Sequence, residues 1–205
     1  HVSLVKFYLD KNEGTNASKS MFKVLGNDKM DLKIKHRVFN EFLIFAIKNP
    51  AFFKDVDEAI PYFNSDNDLN VAKEVGKFFW IKKDYEKALY YLDKALKANL
   101  QDVETMDYYL NVLIQNEDYK AVIPKAESFL ELYPTQPNFY YYAGFASNKT
   151  NQFKKAKDFL ENGLDFVVED NAIEKEFYTQ LIISCENLND MAKKQLYVNK
   201  LKQVN

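Results

Sequence analysis

Apolar residues along this chain recur at helical intervals. In three consecutive stretches an aromatic residue is followed three positions later by a small or β-branched one. Apolar or small residues then follow seven, ten and eleven positions on, which lines one face of a helix. The stretches are Tyr85, Ala88, Leu92, Ala95, Leu96; Tyr119, Val122, Ala126, Phe129, Leu130; and Phe153, Ala156, Leu160, Gly163, Leu164. Each position returns every 34 residues, and upstream Gly76 and Gly144 stand two periods apart. The pattern predicts pairs of antiparallel helices. Small residues at 76, 88, 143, 144 and 156 let the two helices of a pair approach closely, and the aromatic closes the turn between them. A lone pair cannot bury both faces, so the pairs must stack.

The flanks carry the same signal more weakly. Residues 171–205 read as a further pair, about 172–187 and 190–203. Its turn at Asn187–Asp190 comes a few residues late, which predicts a lengthened helix after Phe153. Residues 30–63 read as another pair, with Leu32, Val38, Phe39, Phe42, Leu43, Phe45 and Ala46 on its first helix and Asn49-Pro50 as the stop. Its second helix carries Phe52, Phe53, Val56, Ala59 and Ile60. Residues 3–26 read as the frayed end of an earlier repeat with Gly14 in its turn. Pro61 and Pro124 fall inside helical patterns and should shorten or bend their helices.

The 34-residue pattern resembles the tetratricopeptide repeat (TPR), whose signature is a small residue at position 8, an aromatic at 17, a small residue at 20 and an apolar residue at 24. Units 69–102, 103–136 and 137–170 fit this frame, with Pro134 at position 32, where the family favours proline. Leu110 at position 8, Val122 at position 20 and Gly163 at position 27 depart from it. The resemblance implies an all-α fold: a right-handed α-α superhelix, or solenoid, of stacked antiparallel helix pairs, formed as a single array over 1–205. The stretch Tyr133-Pro134-Thr135-Gln136-Pro137-Asn138-Phe139-Tyr140 resembles bacterial repeat proteins of the Bacteroides–Flavobacterium type. Those are usually longer, so this chain is expected to be a fragment of one.

The resemblance also implies a function, the holding of a protein or peptide in a concave groove lined by the first helix of each pair. Positions 2, 5, 9, 12 and 13 face that groove in the family. Here they bring Asn70, Lys73, Lys77, Trp80 and Ile81 from the first unit and Glu104, Asp107, Asn111, Ile114 and Gln115 from the second. The third unit brings Asn138, Tyr141, Phe145, Asn148 and Lys149. The expected groove is cationic at one end and aromatic at the other. Chaperone-binding members clamp a terminal carboxylate with Lys and Asn at positions 5 and 9, Asn at 6 of the next unit, and Lys and Arg at 2 and 6 of the third. Those places hold Lys73, Lys77, Tyr108, Asn138 and Tyr142, of which Lys73 alone fits. Of Tyr140, Tyr141 and Tyr142, at least one belongs to the core, with Tyr140 the first choice, and Trp80 is as suited to packing between pairs as to a ligand. The alternatives are a self-associating module stacking through its array ends, and the interaction region of a larger envelope-associated protein.

Composition narrows the function classes. Five glycines and five prolines are too few for a fold of many short strands. Net charge is −2, from 28 basic and 30 acidic residues, without the basic excess that phosphate contacts demand, so no nucleic acid is expected. Arg37 is the single arginine. No apolar run reaches about 18 residues, so no membrane insertion is expected. The chain opens at His1 without a signal-like stretch, as in a processed product from which any targeting segment has been removed.

Catalytic groups are scarce. His1 and His36 are the only histidines and Cys185 the only cysteine, which leaves no metal-ligand set and no intrachain disulfide. His36 lies in the charged stretch Lys33–Arg37 and reads as a solvated surface residue. Cys185 shares a helix face with Leu181 and Ile182 and reads as core. Asn64-Ser65-Asp66-Asn67-Asp68 begins like a calcium loop but lacks the glycine at the sixth place and the glutamate at the twelfth, so a capping loop is the better reading. No glycine-rich phosphate loop is present. The sequence therefore points to a non-enzyme without cofactor or metal.

Overall fold

The computed structural model describes residues 1–63 and 71–204, and the 64–68 stretch and Asn70 lie outside them. The described residues contain twelve α-helices and no strand. The helices are α1 (Val2–Asp10), α2 (Gly14–Leu25), α3 (Leu32–Lys48), α4 (Phe53–Ala59), α5 (Ala72–Ile81), α6 (Tyr85–Ala98), α7 (Val103–Gln115), α8 (Tyr119–Leu132), α9 (Pro137–Lys149), α10 (Phe153–Leu164), α11 (Asn171–Asn187) and α12 (Met191–Gln203). They fall into two compact units, His1–Thr105 and Met106–Asn205, so α7 gives its first turn to one and the rest to the other.

The turns inside five of the pairs, all but α3–α4, have one local design. Residues Asn12, Lys83, Glu117, Asn151 and Asn189 all have positive φ, between 57° and 60°. Three of them, Lys83, Glu117 and Asn151, lie 34 residues apart. Each ends its helix in a Schellman motif. Asp84 N–H donates to Phe79 O and Lys83 N–H to Trp80 O, both at 2.9 Å, and the same two bonds recur at 117/118, 151/152 and 189/190. The next residue then caps the second helix: the carboxylates of Asp84, Asp118 and Asp190 accept from N–H groups of the first turn, whereas Gln152 provides no side-chain cap.

In the first unit the side chains of α2, α3 and α4 meet in a core that includes Met21, Val24, Phe39, Phe42, Leu43 and Val56. Residues 2–25 are a complete pair and not a frayed end. Gly14 opens α2, where an added Cβ would lie 2.2 Å from the Phe52 ring, so it marks a close approach and the turn belongs to Asn12. His36 is buried, with its ring 5.3 Å from that of Phe63; the charged run around it hid an inward-facing position. The chain stops at Asn49 as expected. Pro61 shortens its helix, because α4 ends at Ala59 and a 3-10 turn, Ile60–Phe63, takes over.

In the second unit, α8 runs from Tyr119 to Leu132 with Pro124 inside it. The late turn before α12 comes from α11, which has 17 residues against 13 in α9; α10, where a longer helix was expected, has 12. A core of Leu160, Phe177, Tyr178, Leu181, Cys185 and Tyr197 ties α10, α11 and α12 together. Gly163, which departs from the repeat pattern, sits where a Cβ would meet Tyr140 Cβ at 2.3 Å and the Phe177 ring at 2.9 Å.

Candidate interaction surface

The first helices of the pairs carry most of the residues expected to meet a partner, and their polar groups are largely engaged with one another. On α5, Lys73 Nζ lies 3.0 Å from Asp102 and 2.6 Å from Glu104. Lys77 lies 3.4 Å from Glu74 and 4.0 Å from Glu104. Burial disfavours the Lys73 ammonium, but its bonds to Glu104 and Asp102 outweigh that and raise its pKa. The bond from Lys73 also lowers the pKa of Glu104. The groove end expected to be cationic is thus neutralised by its own neighbours, although α5 alone reads as basic. Trp80 is half-buried and Ile81 exposed.

In the second unit, Asn138 Nδ2 donates to Asp107 at 3.0 Å, and Gln115 donates to Asn111 at 3.2 Å. Tyr142 bonds with both Asp107 and Asn111; burial first, and then the Asp107 carboxylate, push its phenol well above the ordinary range. Tyr141 donates to Glu176 at 3.2 Å, and burial and that carboxylate raise its phenol likewise. The Tyr141 ring lies 6.1 Å from Phe145 and 5.7 Å from Phe177. Phe145 is half-buried, 6.1 Å from Tyr119, with Lys149 Nζ 5.3 Å above its face. Tyr140 stacks on Phe166 and donates to Pro134 O, remaining half-buried; the fully buried aromatic of this run is Phe139.

Asn148 lies elsewhere than expected. It is 7 % exposed, and its carboxamide is held by α11: Nδ2 donates to Gln180 O at 3.0 Å and to Gln180 Oε1 at 3.2 Å, while Oδ1 accepts from Ser184 Oγ at 2.8 Å. Beside it Ser147 Oγ is buried without a partner among the described residues. Sequence reasoning missed this polar seam, because Gln180 and Ser184 resemble solvated helix positions. It also missed that position 5 of one repeat reaches position 2 of the next, as in Lys73–Glu104 and Asp107–Asn138, both 31 residues apart. Complementary residue types at that spacing were the available signal.

Cys185 is fully buried as expected, and burial raises its thiol pKa, so it is held as an unreactive thiol. Among the described residues no three His, Cys, Asp or Glu side chains are placed to hold a metal ion, and no helix is long and apolar enough to cross a membrane.

Antiparallel helix pairs recurring about every 34 residues, with Schellman turns, aspartate caps at 84, 118 and 190 and glycine contacts at 76 and 144, define a TPR-like helical repeat fold. Solved structures of the TPR-like protein MamA match over most of the chain. A double mutant of RS-1 MamA matches with TM-score 0.68 and 16 % identity, over 82 % of this chain and 93 % of that one. MamA from Desulfovibrio magneticus RS-1 gives 0.62 and 18 %, over 81 % and 94 %, and AMB-1 MamA gives 0.63 and 15 %, over 81 % and 96 %. At these identities the likeness is one of fold. No family model and no curated protein matches the sequence.

Proposed function

We propose that this chain is a non-catalytic scaffold that holds a protein or peptide partner on the faces of its first helices. The observation that carries this is the α7–α9 face of the second unit. Tyr141 and Phe145 present aromatic surface there, Asn138 donates to Asp107, and Tyr142 bonds with both Asp107 and Asn111. Aromatic anchors with few free rotors, set beside adaptable amides, suit recognition surfaces. Lys73, Lys77, Trp80 and Asn70 belong to the same reading in the first unit. Within it, we place the chain with bacterial repeat proteins of the Bacteroides–Flavobacterium type.

The test is capture with a photo-crosslinker at Asn111, comparing the wild type with Tyr141→Ala/Phe145→Ala and with a control on the second-helix side, Lys154→Ala. The reading expects one or more captured partners that the aromatic variant loses and the control keeps. An identical set of captured proteins with all three would sink it.

A second reading, self-association, is favoured by α12. Met191 (53 % exposed) and Leu196 (47 %) share an outward face with Gln195, Asn199, Gln203 and the exposed Lys202. Exposed methionine and leucine side chains on one helix face suit contact with another copy. Light scattering over a concentration series decides: a strict monomer at high concentration removes this reading, and a mass that rises for the wild type but not for Leu196→Lys supports it.

A further inference from the structure

On the first helices of later pairs the charged groups are mostly tied to neighbours, and the cleft between α1 and α3 is different. These two helices pack against each other, and two adjoining recesses of about 470 and 450 Å³ run along their seam. Arg37 lines one recess and Lys48 the other, while Lys6, Asp10 and Glu41 line both. Among the described residues none of these five makes an ion pair or a side-chain hydrogen bond. Between the two cationic ends lies apolar surface, with Ile44 54 % exposed beside half-buried Leu9 and Phe45. An aliphatic residue this exposed, set between unpaired charges, is the composition of a contact surface more than of a solvated helix face.

We infer that the α1–α3 cleft binds an extended peptide segment whose carboxylates flank an apolar centre. Charge sets the occupant. The ends are cationic, and the middle holds Lys6 against two carboxylates, so acidic groups are favoured at the two ends and disfavoured between them. Spacing sets the register. Arg37 and Lys48 are eleven residues apart on one helix, about 16 Å along its axis. An extended chain covers that distance in about five residues. The ligand is therefore an acidic residue, three or four largely apolar ones, and a second acidic residue. This surface is separate from the α7–α9 face, so either assignment can fail without the other.

The test is fluorescence anisotropy of the whole chain with a labelled peptide in which two glutamates flank four residues, leucines and one phenylalanine. Two comparison peptides carry lysines in place of the glutamates, or the glutamates side by side at the centre. The inference expects saturable binding of the first peptide, about ten-fold weaker binding of both others, and about ten-fold loss in Arg37→Glu and in Lys48→Glu. Lys19→Glu on α2 makes the same change in net charge on another surface and should bind normally, as should Tyr141→Ala/Phe145→Ala. Circular dichroism of the variants guards against misfolding, and Ile44→Ser, at an exposed site, gives an independent loss. Equal binding of all three peptides, no binding of any, or equal loss in Lys19→Glu overturns the inference. A mass that rises with concentration for the wild type and not for Arg37→Glu reassigns the cleft to a second copy of the chain and also overturns it.

Discussion

Glu117 occupies left-handed backbone, with φ 57°, in a turn where many helices place glycine. That conformation costs an L-residue about 1–2 kcal/mol. Glycine relieves it and returns about 0.5–1 kcal/mol through its freer unfolded chain. Glu117→Gly is therefore expected to raise stability by about 0.5–1 kcal/mol, read as a shift in the urea midpoint at unchanged slope; a lowered midpoint would show that the Glu117 side chain contributes something else. The polar seam between α9 and α11 gives a paired expectation. Ser147→Ala removes a buried hydroxyl that bonds to nothing described, and should be neutral or stabilising by up to about 1 kcal/mol. Asn148→Ala removes donors and an acceptor that Gln180 and Ser184 rely on, and should cost about 2 kcal/mol. Equal effects of the two substitutions, measured by the same denaturation, would contradict the bonding described.

Two helix pairs, α5/α6 and α9/α10, share one steric fit. An added Cβ on Gly76 would lie 2.7 Å from Leu92 Cγ, and one on Gly144 2.5 Å from Leu160 Cγ. The middle repeat reverses the sizes: Leu110 stands at the glycine's position and Ala126 at the leucine's, and both are fully buried. The departure at Leu110 is thus compensated across the pair. Leu160→Ala alone should cost about 3 kcal/mol. Adding Gly144→Leu, which copies the middle repeat, should recover at least about 1 kcal/mol, and a double-mutant cycle with no coupling would refute the fit.

Ion pairs bind the last helix to α10. Lys157 lies 2.7 Å from Asp190, and Glu161 accepts from Lys193 and from Tyr197, each at 2.7 Å. The Asp190 pKa is lowered, first by the bond from Lys157; that of Glu161 is lowered because the bonds from Lys193 and Tyr197 outweigh its partial burial. A carboxylate whose folded pKa is depressed contributes stability that is fully present above its unfolded value, about 4, and lost as pH falls through the folded one. Amide exchange in α12 should therefore speed up relative to α9 as the pH drops below about 4, and Lys193→Met should flatten that dependence. Unchanged relative protection would argue against these ties.

Much of this was legible at the element scale. The helix pairs from 30 onward and the core place of Cys185 follow from spacing, and the stop at Asn49 from the proline after it. The positive-φ turns were not legible, because Lys83 and Glu117 are poor markers of left-handed backbone. Nor was the neutralised state of Lys73, since its partners lie one repeat away, or the inward turn of His36. For the same reason a candidate surface derived from single-repeat positions included Asn148, whose partners belong to the next helix pair.

At the scale of the whole molecule, acids and bases are nearly balanced, so we place specificity in local arrangements such as the proposed Arg37–Lys48 cleft and the Tyr141–Phe145 pair. The division between the two compact units falls within α7. The first depends on residues just beyond its last pair, because Lys73 is held by Asp102 and Glu104. The second needs Met106 and Leu110, which are fully buried on the same helix. The boundary at Thr105–Met106 leaves each unit these residues but cuts α7 after its first turn. In a lineage of such chains, insertion or loss of whole 34-residue repeats keeps every helix whole, whereas recombination at the unit boundary cuts α7; length should therefore vary in steps of one repeat.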